Sequence, residues 1–309
     1  MLVLKKPKFW DLKKPNFYSY ILLPLSLIIS FINYFKRFRN GKKYKIKTIC
    51  VGNFYVGGTG KTSLSVKIHE ILKKKNIKSC FVKKFYKNQT DEQSILKKSG
   101  KLFISNSRIN ALKDAEKENY EIAILDDGLQ DKSIDYDVSL VCFNNISWIG
   151  NGMTIPSGPL REKITNLKYY KNVCLNGNLE NLDKLKKEIL NINKNINIHV
   201  GKYNLINLND LDKNENYIVF SGIGNHNTFV SMMKNYGLKV LKEFEYPDHY
   251  QYKKEDIEKL LDIADNLNCK ILTTEKDFFR LNKKYCKKII FIKSELVMMD
   301  EEKFINTII

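Results

Sequence analysis

Residues 46–67 read IKTICVGNFYVGGTGKTSLSVK, and this stretch decides the fold. It begins with an apolar, β-branched run, passes through a glycine-rich turn and continues as a helix-forming segment. A strand, a glycine-rich loop, Lys-Thr and a helix in this order are typical of a phosphate-binding loop. Tyr55 stands where the general pattern has its first glycine, and an ordinary glycine-rich turn is the alternative. We interpret the stretch as a site for a nucleoside triphosphate.

The loop pattern predicts which groups bind the phosphates and which bind Mg²⁺. Backbone N–H groups and the positive end of the following helix dipole cradle phosphate oxygens in such loops. Lys61 is expected to reach the β- and γ-phosphates, and the Thr62 hydroxyl to ligate Mg²⁺. The predicted nucleotide-binding residues are Gly57, Gly58, Thr59, Gly60, Lys61 and Thr62.

The segments around this loop predict an α/β fold. Apolar strand-like runs alternate with charged helical segments up to residue 175, which favours a doubly wound, mostly parallel sheet of the P-loop NTPase type. A polar stretch rich in Lys and Asn, residues 179–197, is the predicted domain boundary. The predicted divisions are an N-terminal membrane-associated helix (1–40), a P-loop domain (41–197), and a connecting strand with a smaller α/β domain (198–309).

Composition narrows the class of protein only a little. The chain has 309 residues with 53 Lys and Arg against 34 Asp and Glu, a net charge of +19. Such an excess favours an anionic partner, but Lys, Asn and Ile recur throughout the chain, so the charge is supporting evidence only. The six cysteines are scattered with no CxxC pair, which indicates a reducing compartment and argues against disulfides or a zinc site.

The N-terminal segment predicts contact with a membrane. Residues 18–35 are strongly apolar and carry no charge, and lysines and arginines crowd both sides of them. The run is somewhat shorter than the ~20 apolar residues of a spanning helix. Basic residues on both flanks suit a helix that lies in an anionic membrane surface. The alternative is a core helix of the first domain.

Residues 121–130, EIAILDDGLQ, read as an apolar strand that runs into two adjacent carboxylates and a glycine. A strand that delivers an acid at its carboxyl end, beside a phosphate loop, is where a partner of Mg²⁺ belongs. We therefore predict that Asp126 and Asp127 serve the metal, although DDG alone is also a turn signal. Further on, Arg161 lies in a loop rich in glycine and proline and suits bidentate recognition of phosphate.

Several motifs together resemble one family. VGNFYVGGTGKTS, DDGLQ, GNGMTIPSGPLRE, FSGIGN, YPDHY and ILTTEKD occur in the order found in tetraacyldisaccharide 4'-kinase, the lipid A 4'-kinase of Gram-negative bacteria. The resemblance covers nearly the whole chain, and the missing first glycine is itself typical of this family. It implies transfer of a phosphoryl group from ATP to the 4'-hydroxyl of a lipid A precursor, tetraacyl-disaccharide 1-phosphate. It also implies a location at the cytoplasmic face of the bacterial inner membrane.

The resemblance assigns further roles to residues that are ambiguous by themselves. Asp91 corresponds to the aspartate of the family's G-D-E-P segment, which implies a general base for the sugar hydroxyl, assisted by His249. From the residues alone, Asp91 suits a helix N-terminus and His249 a surface loop. The resemblance also places Glu162 near the metal with Asp126 and Asp127, and directs Arg161 toward the existing phosphate of the lipid.

The chain departs from the family pattern after its second strand. Lys83-Lys84-Phe85-Tyr86 replaces S-R-G-Y, so that only Tyr86 remains as a predicted substrate contact. Thr90 and Gln93 replace the glycine and the proline of G-D-E-P, and Asp131 and Asn144 are further differences. These departures concern substrate contacts and leave the ATP-binding motifs intact.

Two other classes of protein remain open from the sequence. One is a membrane-tethered P-loop ATPase that acts as a switch or partitioning factor. The other is a nucleic-acid-binding ATPase, which only the charge suggests and which lacks a recognisable binding module. We therefore predict no nucleic-acid partner, and no protein partner is evident in the sequence.

Overall fold

A computed structural model describes residues 6–36, 41–86, 90–248 and 250–309. The chain divides into two compact units. The larger unit contains Pro7–Lys202 and Leu296–Ile309, and the smaller contains Tyr203–Glu295. The strands are β1 (Lys47–Asn53), β2 (Ser79–Lys84), β3 (Leu102–Ser105), β4 (Ile122–Asp126), β5 (Val138–Asn144), β6 (Asn172–Gly177), β7 (Asn197–Leu205), β8 (Asn216–Ser221), β9 (Lys239–Glu245), β10 (Lys270–Thr274), β11 (Ile289–Ile292) and β12 (Ser294–Met298).

The helices surround these strands. They are α1 (Phe17–Ile21), α2 (Leu23–Lys36), α3 (Lys61–Lys74), α4 (Thr90–Ser99), α5 (Arg108–Lys117), α6 (Leu182–Ile192), α7 (His226–Asn235), α8 (Lys254–Asn266), α9 (Glu275–Phe278) and α10 (Glu301–Ile308). Short 3₁₀ turns lie between some of them, the first at Lys8–Asp11.

The larger unit is organised by an eight-stranded sheet in the order β12-β7-β6-β5-β1-β4-β2-β3. From β3 through β7 the neighbouring strands are all parallel. The chain builds β2, β3 and β4 on one side of β1 and then β5, β6 and β7 on the other, so the strand order reverses at β1. Ligands bind at the carboxyl ends of strands at such a reversal, and the glycine-rich loop follows β1. The predicted mostly parallel α/β sheet is confirmed.

The central strands are buried along their length. β4 is buried at every residue, and β1 at all but its first. Strands covered by helices on both faces read as continuous apolar runs rather than alternating ones, which explains IAILD and TICV. Helix α3 packs on β1, β2 and β4, and α5 packs on β2 and β3. The loop after β1 is therefore anchored to a buried strand that is packed against a helix.

The smaller unit has its own parallel sheet, in the order β11-β10-β8-β9. Alternate residues of β8 enter two separate apolar clusters. Tyr217 and Val219 pack with α7, whereas Ile218 and Phe220 pack with α8. Because successive side chains of a strand point to opposite faces, each face of this sheet has its own core. The smaller unit is thus itself an α/β unit.

The boundary between the units differs from the predicted one. The sequence predicts residues 296–309 in the smaller domain, but they belong to the larger unit. The chain leaves the larger unit after Lys202 and returns to it at Leu296. Phe304 of α10 is fully buried and contacts the His199 ring, with 5.1 Å between ring centroids. Glu301 pairs with Lys67 at 3.1 Å. Strand β12 and helix α10 were not recognised in the sequence because both are short.

The N-terminal helices present polar residues to the protein and apolar residues to the outside. Ser26 is buried and its Oγ donates to the Thr154 carbonyl at 2.8 Å, and Ser30 Oγ lies 3.1 Å from Thr154 Oγ1. The exposed large side chains of the two helices are Phe17, Tyr18, Tyr20, Ile21, Leu25, Leu27, Ile28, Phe31, Ile32, Tyr34 and Phe35. This orientation is the reverse of a core helix. Within the described residues, no helix combines the length and the apolarity that crossing a membrane requires.

Candidate active site

The glycine-rich loop is held by two buried asparagines. Asn53, at the end of β1, donates from Nδ2 to the Tyr55 carbonyl at 2.6 Å and to Thr59 Oγ1 at 2.9 Å. Asn176 of β6 donates to the Thr59 carbonyl at 3.0 Å. Gly60 has a φ of +81°, which L side chains rarely adopt, and α3 begins at the next residue. The loop is therefore fixed with the N-terminus of α3 at its end.

Tyr55 anchors the loop to the N-terminal 3₁₀ turn. Its side chain is buried and its hydroxyl donates to Asp11 Oδ1 at 2.5 Å. The neighbouring Trp10 donates from its ring N–H to the Pro156 carbonyl at 3.0 Å. The residue that breaks the general glycine pattern thus ties the N-terminal 3₁₀ turn to the phosphate loop, and Trp10 ties that turn to the loop around Pro156.

Asp127 lies between two cations at the end of β4. Arg161 Nη1 donates to Asp127 Oδ1 at 2.9 Å, and Lys61 Nζ lies 3.8 Å from the same oxygen. Burial works to raise the pKa of this carboxyl, but the Lys61 and Arg161 charges outweigh it and hold the pKa well below its usual range. Asp127 is therefore ionised, and it orients two cations that can also bind phosphate.

Asp126 has different partners and no access to solvent. Its Oδ2 accepts from Lys83 Nζ at 2.5 Å, and its Oδ1 accepts from Ser65 Oγ at 3.3 Å. Lys83 also donates to Glu92 Oε2 at 2.5 Å. Burial works to lower the pKa of Lys83, but Asp126 and Glu92 outweigh it and raise the pKa. In the sequence Lys83 stands out only as a departure from the family pattern, and a lysine directly after the apolar run Cys80–Val82 is the available signal of its burial.

The predicted metal residues do not form one carboxylate cluster. Among the described residues, no group of three His, Cys, Asp or Glu side chains could hold a metal ion. Thr62 is buried in the first turn of α3, and Asp127 ion-pairs with the loop lysine. Glu162 accepts from Asn166 at 3.2 Å and lines a cavity of about 380 Å³ beside α2. Because nucleotide phosphates supply the other oxygens for Mg²⁺ in P-loop proteins, Thr62 and an ionised Asp127 fit such an ion.

A cleft of about 430 Å³ adjoins Asp127. Its lining residues are Lys84, Tyr86, Arg108, Asp127, Gln130, Asp131, Lys132, Ser133 and Arg161. Tyr86 and Arg161, both predicted substrate contacts, lie in it. Lys84, Arg108 and Lys132 were missed as site residues, because each is one basic residue among many in this sequence. The cleft can receive an anionic group next to the phosphate loop.

Arg108 joins the cleft to the acidic turn. Its Nη2 donates to the Asp127 carbonyl at 2.5 Å, and its Nη1 donates to Asp131 Oδ2 at 3.2 Å. The departure from the family pattern at Asp131 therefore has a partner in the structure.

The predicted base and its assistant are described only in part. The backbone of Asp91 lies in the first turn of α4, which begins at Thr90 as predicted. The side chain of Asp91 and the whole of His249 lie outside the described residues. Gln93 holds the start of α4, because its Nε2 donates to the Tyr86 carbonyl at 3.0 Å.

A second buried carboxylate organises the smaller unit. Asp277, of the TEKD motif, accepts from the Gly222 N–H at 3.0 Å, from the Tyr252 hydroxyl at 2.8 Å and from Arg280 at 3.0 Å. Its other oxygen accepts from the Thr274 hydroxyl at 2.6 Å. The FSGIGN and TEKD motifs, each weak in the sequence, thus meet at one residue.

The sequence is similar to those of known proteins along nearly its whole length. The family model described as tetraacyldisaccharide-1-P 4'-kinase matches residues 18–309. A tetraacyldisaccharide 4'-kinase of Pelagibacter ubique (strain HTCC1062) is 56% identical over 306 residues, 99% of this chain and 98% of that one. One of Rickettsia canadensis (strain McKiel) is 33% identical, covering 99% and 95% of the two chains.

A solved structure shares the fold. The "apo" form of LpxK from Aquifex aeolicus in complex with ATP superposes with a TM-score of 0.67 and 23% sequence identity. The match covers 94% of this chain and 98% of that one. At this identity the likeness concerns the fold.

Proposed function

We propose that this chain, which belongs to the tetraacyldisaccharide-1-P 4'-kinase family, transfers the γ-phosphoryl group of ATP to the 4'-hydroxyl of tetraacyl-disaccharide 1-phosphate. The observation that carries the proposal is the arrangement of Lys61, Asp127 and Arg161 where the phosphate loop meets the cationic cleft. The phosphates of the nucleotide and of the acceptor both need cations to bind them. Lys61 of the phosphate loop and Arg161 of the cleft both contact Asp127.

The donor side is the loop after β1. Its N–H groups and the start of α3 bind the β- and γ-phosphates. Lys61 exchanges its contact with Asp127 for the phosphate oxygens and stabilises the charge on the γ-phosphoryl group as it is transferred. Thr62 and Asp127 would hold Mg²⁺, which when bound neutralises charge on the phosphate oxygens. Charge stabilisation and positioning supply most of the catalysis in phosphoryl transfer.

The acceptor side is the cleft. Lys84, Arg108, Lys132 and Arg161 give it the charge to hold the 1-phosphate of the acceptor, with Arg161 suited to bidentate contact. Asp91 takes the proton of the 4'-hydroxyl as general base, and His249 assists it. These two roles rest on the family pattern.

We place the protein at the cytoplasmic face of the bacterial inner membrane, with α1 and α2 as its contact. Ser26 and Ser30 tie α2 to the larger unit, so the apolar side chains of these helices are free to enter the interfacial region of the bilayer. Basic residues flank this segment in the sequence, and they add attraction to anionic lipid. A lipid acceptor is presented at the same surface.

Lys61→Ala tests the function. Transfer of labelled γ-phosphate to tetraacyl-disaccharide 1-phosphate in detergent micelles should fall at least ~10³-fold, because the lysine stabilises the transferred charge. Lys67→Ala is the matched control: it lies on the same helix and loses an ion pair with Glu301, and it should keep near-normal transfer. Near-normal transfer by a folded Lys61→Ala protein contradicts the assignment. ATP hydrolysis by the wild type without any lipid product would favour the switch ATPase.

The membrane contact is tested by changing its exposed face. Leu25, Ile28 and Ile32, replaced together by Gln, should release the protein from anionic vesicles in a sedimentation assay. The control replaces the exposed Leu190 and Leu241 by Gln and should leave binding unchanged. Equal binding by both variants would place the membrane affinity elsewhere on the chain.

A further inference from the structure

Lys83 is a fully buried ammonium that neither the P-loop pattern nor the family pattern assigns. It is the fifth residue of β2, and its neighbours on this strand, Cys80–Val82, are fully buried and apolar. Strand β4 lies alongside, with Val82 paired to Leu125, so that Lys83 comes next to Asp126. Its side chain has no exposed surface, and that of Glu92 is only 18% exposed. A buried charge is tolerated only where partners of opposite sign surround it.

The partners of Lys83 connect the two sides of the site. On the donor side, Asp126 also accepts from Ser65, which is one turn beyond Lys61 on α3. On the acceptor side, Glu92 lies in the first turn of α4, next to Asp91. Hydrogen bonds therefore run from Ser65 through Asp126 and Lys83 to Glu92. Helices α3 and α4 are also in contact with each other.

We propose that Lys83 is a positioning residue that fixes the first turn of α4, and with it Asp91, against the strand end that carries the acidic turn. The Lys83 ammonium donates to Glu92, while Gln93 donates to the Tyr86 carbonyl. Two successive residues after Asp91 are thus both tied down. This role rests on the proposed function, because it acts through Asp91 as the base.

The position accounts for a departure from the family pattern. Where that pattern has a serine, this chain has a lysine long enough to reach both Asp126 and Glu92. In the same segment it lacks the glycine and the proline that flank Asp-Glu, since Thr90 and Gln93 stand there instead. Proline restricts the backbone of its own residue and of the preceding one. In this chain the Lys83–Glu92 contact replaces that restriction with a charge-assisted hydrogen bond.

The test is a double-mutant cycle with Glu92→Gln and Asp91→Asn. Glu92→Gln keeps the Lys83–Asp126 pair and the shape of the side chain, so the protein should fold with nearly unchanged Tm. We expect turnover at saturating ATP and acceptor to fall about tenfold, with the KM for ATP unchanged. In the Asp91→Asn background the same change should cost less than twofold, as for residues that act as a unit. Glu118→Gln, which breaks the exposed Lys101–Glu118 pair, is the matched control and should leave turnover unchanged.

Three results would overturn the role of Lys83. They are an equal loss on Glu92→Gln in both backgrounds, an altered KM for ATP at unchanged turnover, and a lowered Tm at unchanged turnover. Near-normal turnover by Asp91→Asn is a separate result, which refutes the base assignment and with it any route through Asp91. Lys83→Gln removes the ammonium charge and shortens the side chain, so that it no longer reaches both carboxylates, and it should reproduce the loss in turnover; if it fails to fold, the Glu92 cycle decides.

Discussion

Two aspartates follow parallel strands in the two units, and their partners differ in kind. Asp127, after β4, contacts the charged ends of Lys61 and Arg161, and it lines a cleft. Asp277, after β10, contacts a backbone N–H, two hydroxyls and Arg280, and it is fully buried. An aspartate that follows a parallel strand thus contacts mobile cations in one unit and fixed structural groups in the other.

The difference lies in what the partners can do when a ligand arrives. Lys61 and Arg161 are long, cationic and partly exposed, so they can exchange a carboxylate for a phosphate. The hydroxyls of Thr274 and Tyr252 and the Gly222 N–H have no such freedom, because each fixes a loop of the smaller unit. We infer that Asp127 belongs to the chemistry and that Asp277 maintains local structure.

Of the two carboxylates, Asp127 is expected to have the larger effect on phosphoryl transfer. Asp127→Asn keeps the shape but removes the charge between Lys61 and Arg161, so phosphoryl transfer should fall by about 10². Binding of ATP without magnesium should persist, because the cations and the loop remain. Asp114→Asn, at an exposed pair with Lys117, is the control. Transfer at the wild-type rate by Asp127→Asn would end the distinction between the two carboxylates.

Asp277→Asn should act on stability instead. It leaves the buried Arg280 with a neutral partner, and removal of one member of a buried charge pair costs about 3 kcal/mol or more. The unfolding transition of the smaller unit should move to lower temperature, while nucleotide affinity at the loop stays unchanged. The exposed Asp262→Asn on α8 is the control. A loss of nucleotide affinity at unchanged stability would show that Asp277 also takes part in ligand binding.

A smaller effect is expected from pH, through the buried histidines of each unit. Burial, with the Lys303 charge, lowers the pKa of His199 to about 4, against about 6.5 in the unfolded chain. The folded form therefore binds this proton only at lower pH than the unfolded chain does. Stability is complete above pH 6.5 and declines as the pH falls toward 4. Burial likewise lowers the pKa of His226 in the smaller unit.

Substitution of each histidine tests which unit carries the pH dependence of unfolding. His199→Gln should flatten the pH dependence of unfolding in the larger unit, and His226→Gln that in the smaller one, both followed by thermal denaturation between pH 4 and 7. An undiminished dependence in both variants would mean that other groups carry it.

Much of this fold follows from local patterns. The run ICV before VGGTGKT and the run IAIL before DDG mark two neighbouring strands, because buried parallel strands read as continuous apolar segments. Thr90 marks the start of α4. The short segments β12 and α10 were missed, since their pairing with the larger unit depends on contacts about 100 residues away in the chain, such as that of Phe304 with His199.

Site residues that lie in a local sequence motif were recognised from the sequence. Those whose role depends on contacts between distant segments were missed. Lys61 and Asp127 are set by motifs, and they lie together in the structure. Lys83 and Arg108 gain their roles from the strands and turns that surround them. In a chain with 53 Lys and Arg nothing local distinguishes Arg108, and Lys83 is marked only by its place after an apolar run. The roles assigned to Asp91 and His249 remain predictions.

The most direct test of the central claim is the stoichiometry of a single turnover. Wild-type protein, ATP and tetraacyl-disaccharide 1-phosphate should give one ADP for each lipid that carries a new 4'-phosphate, with the position assigned by ³¹P NMR, and Lys61→Ala should give neither product. ADP formed without 4'-phosphorylated lipid, or lipid product formed equally well by Lys61→Ala, would contradict the account.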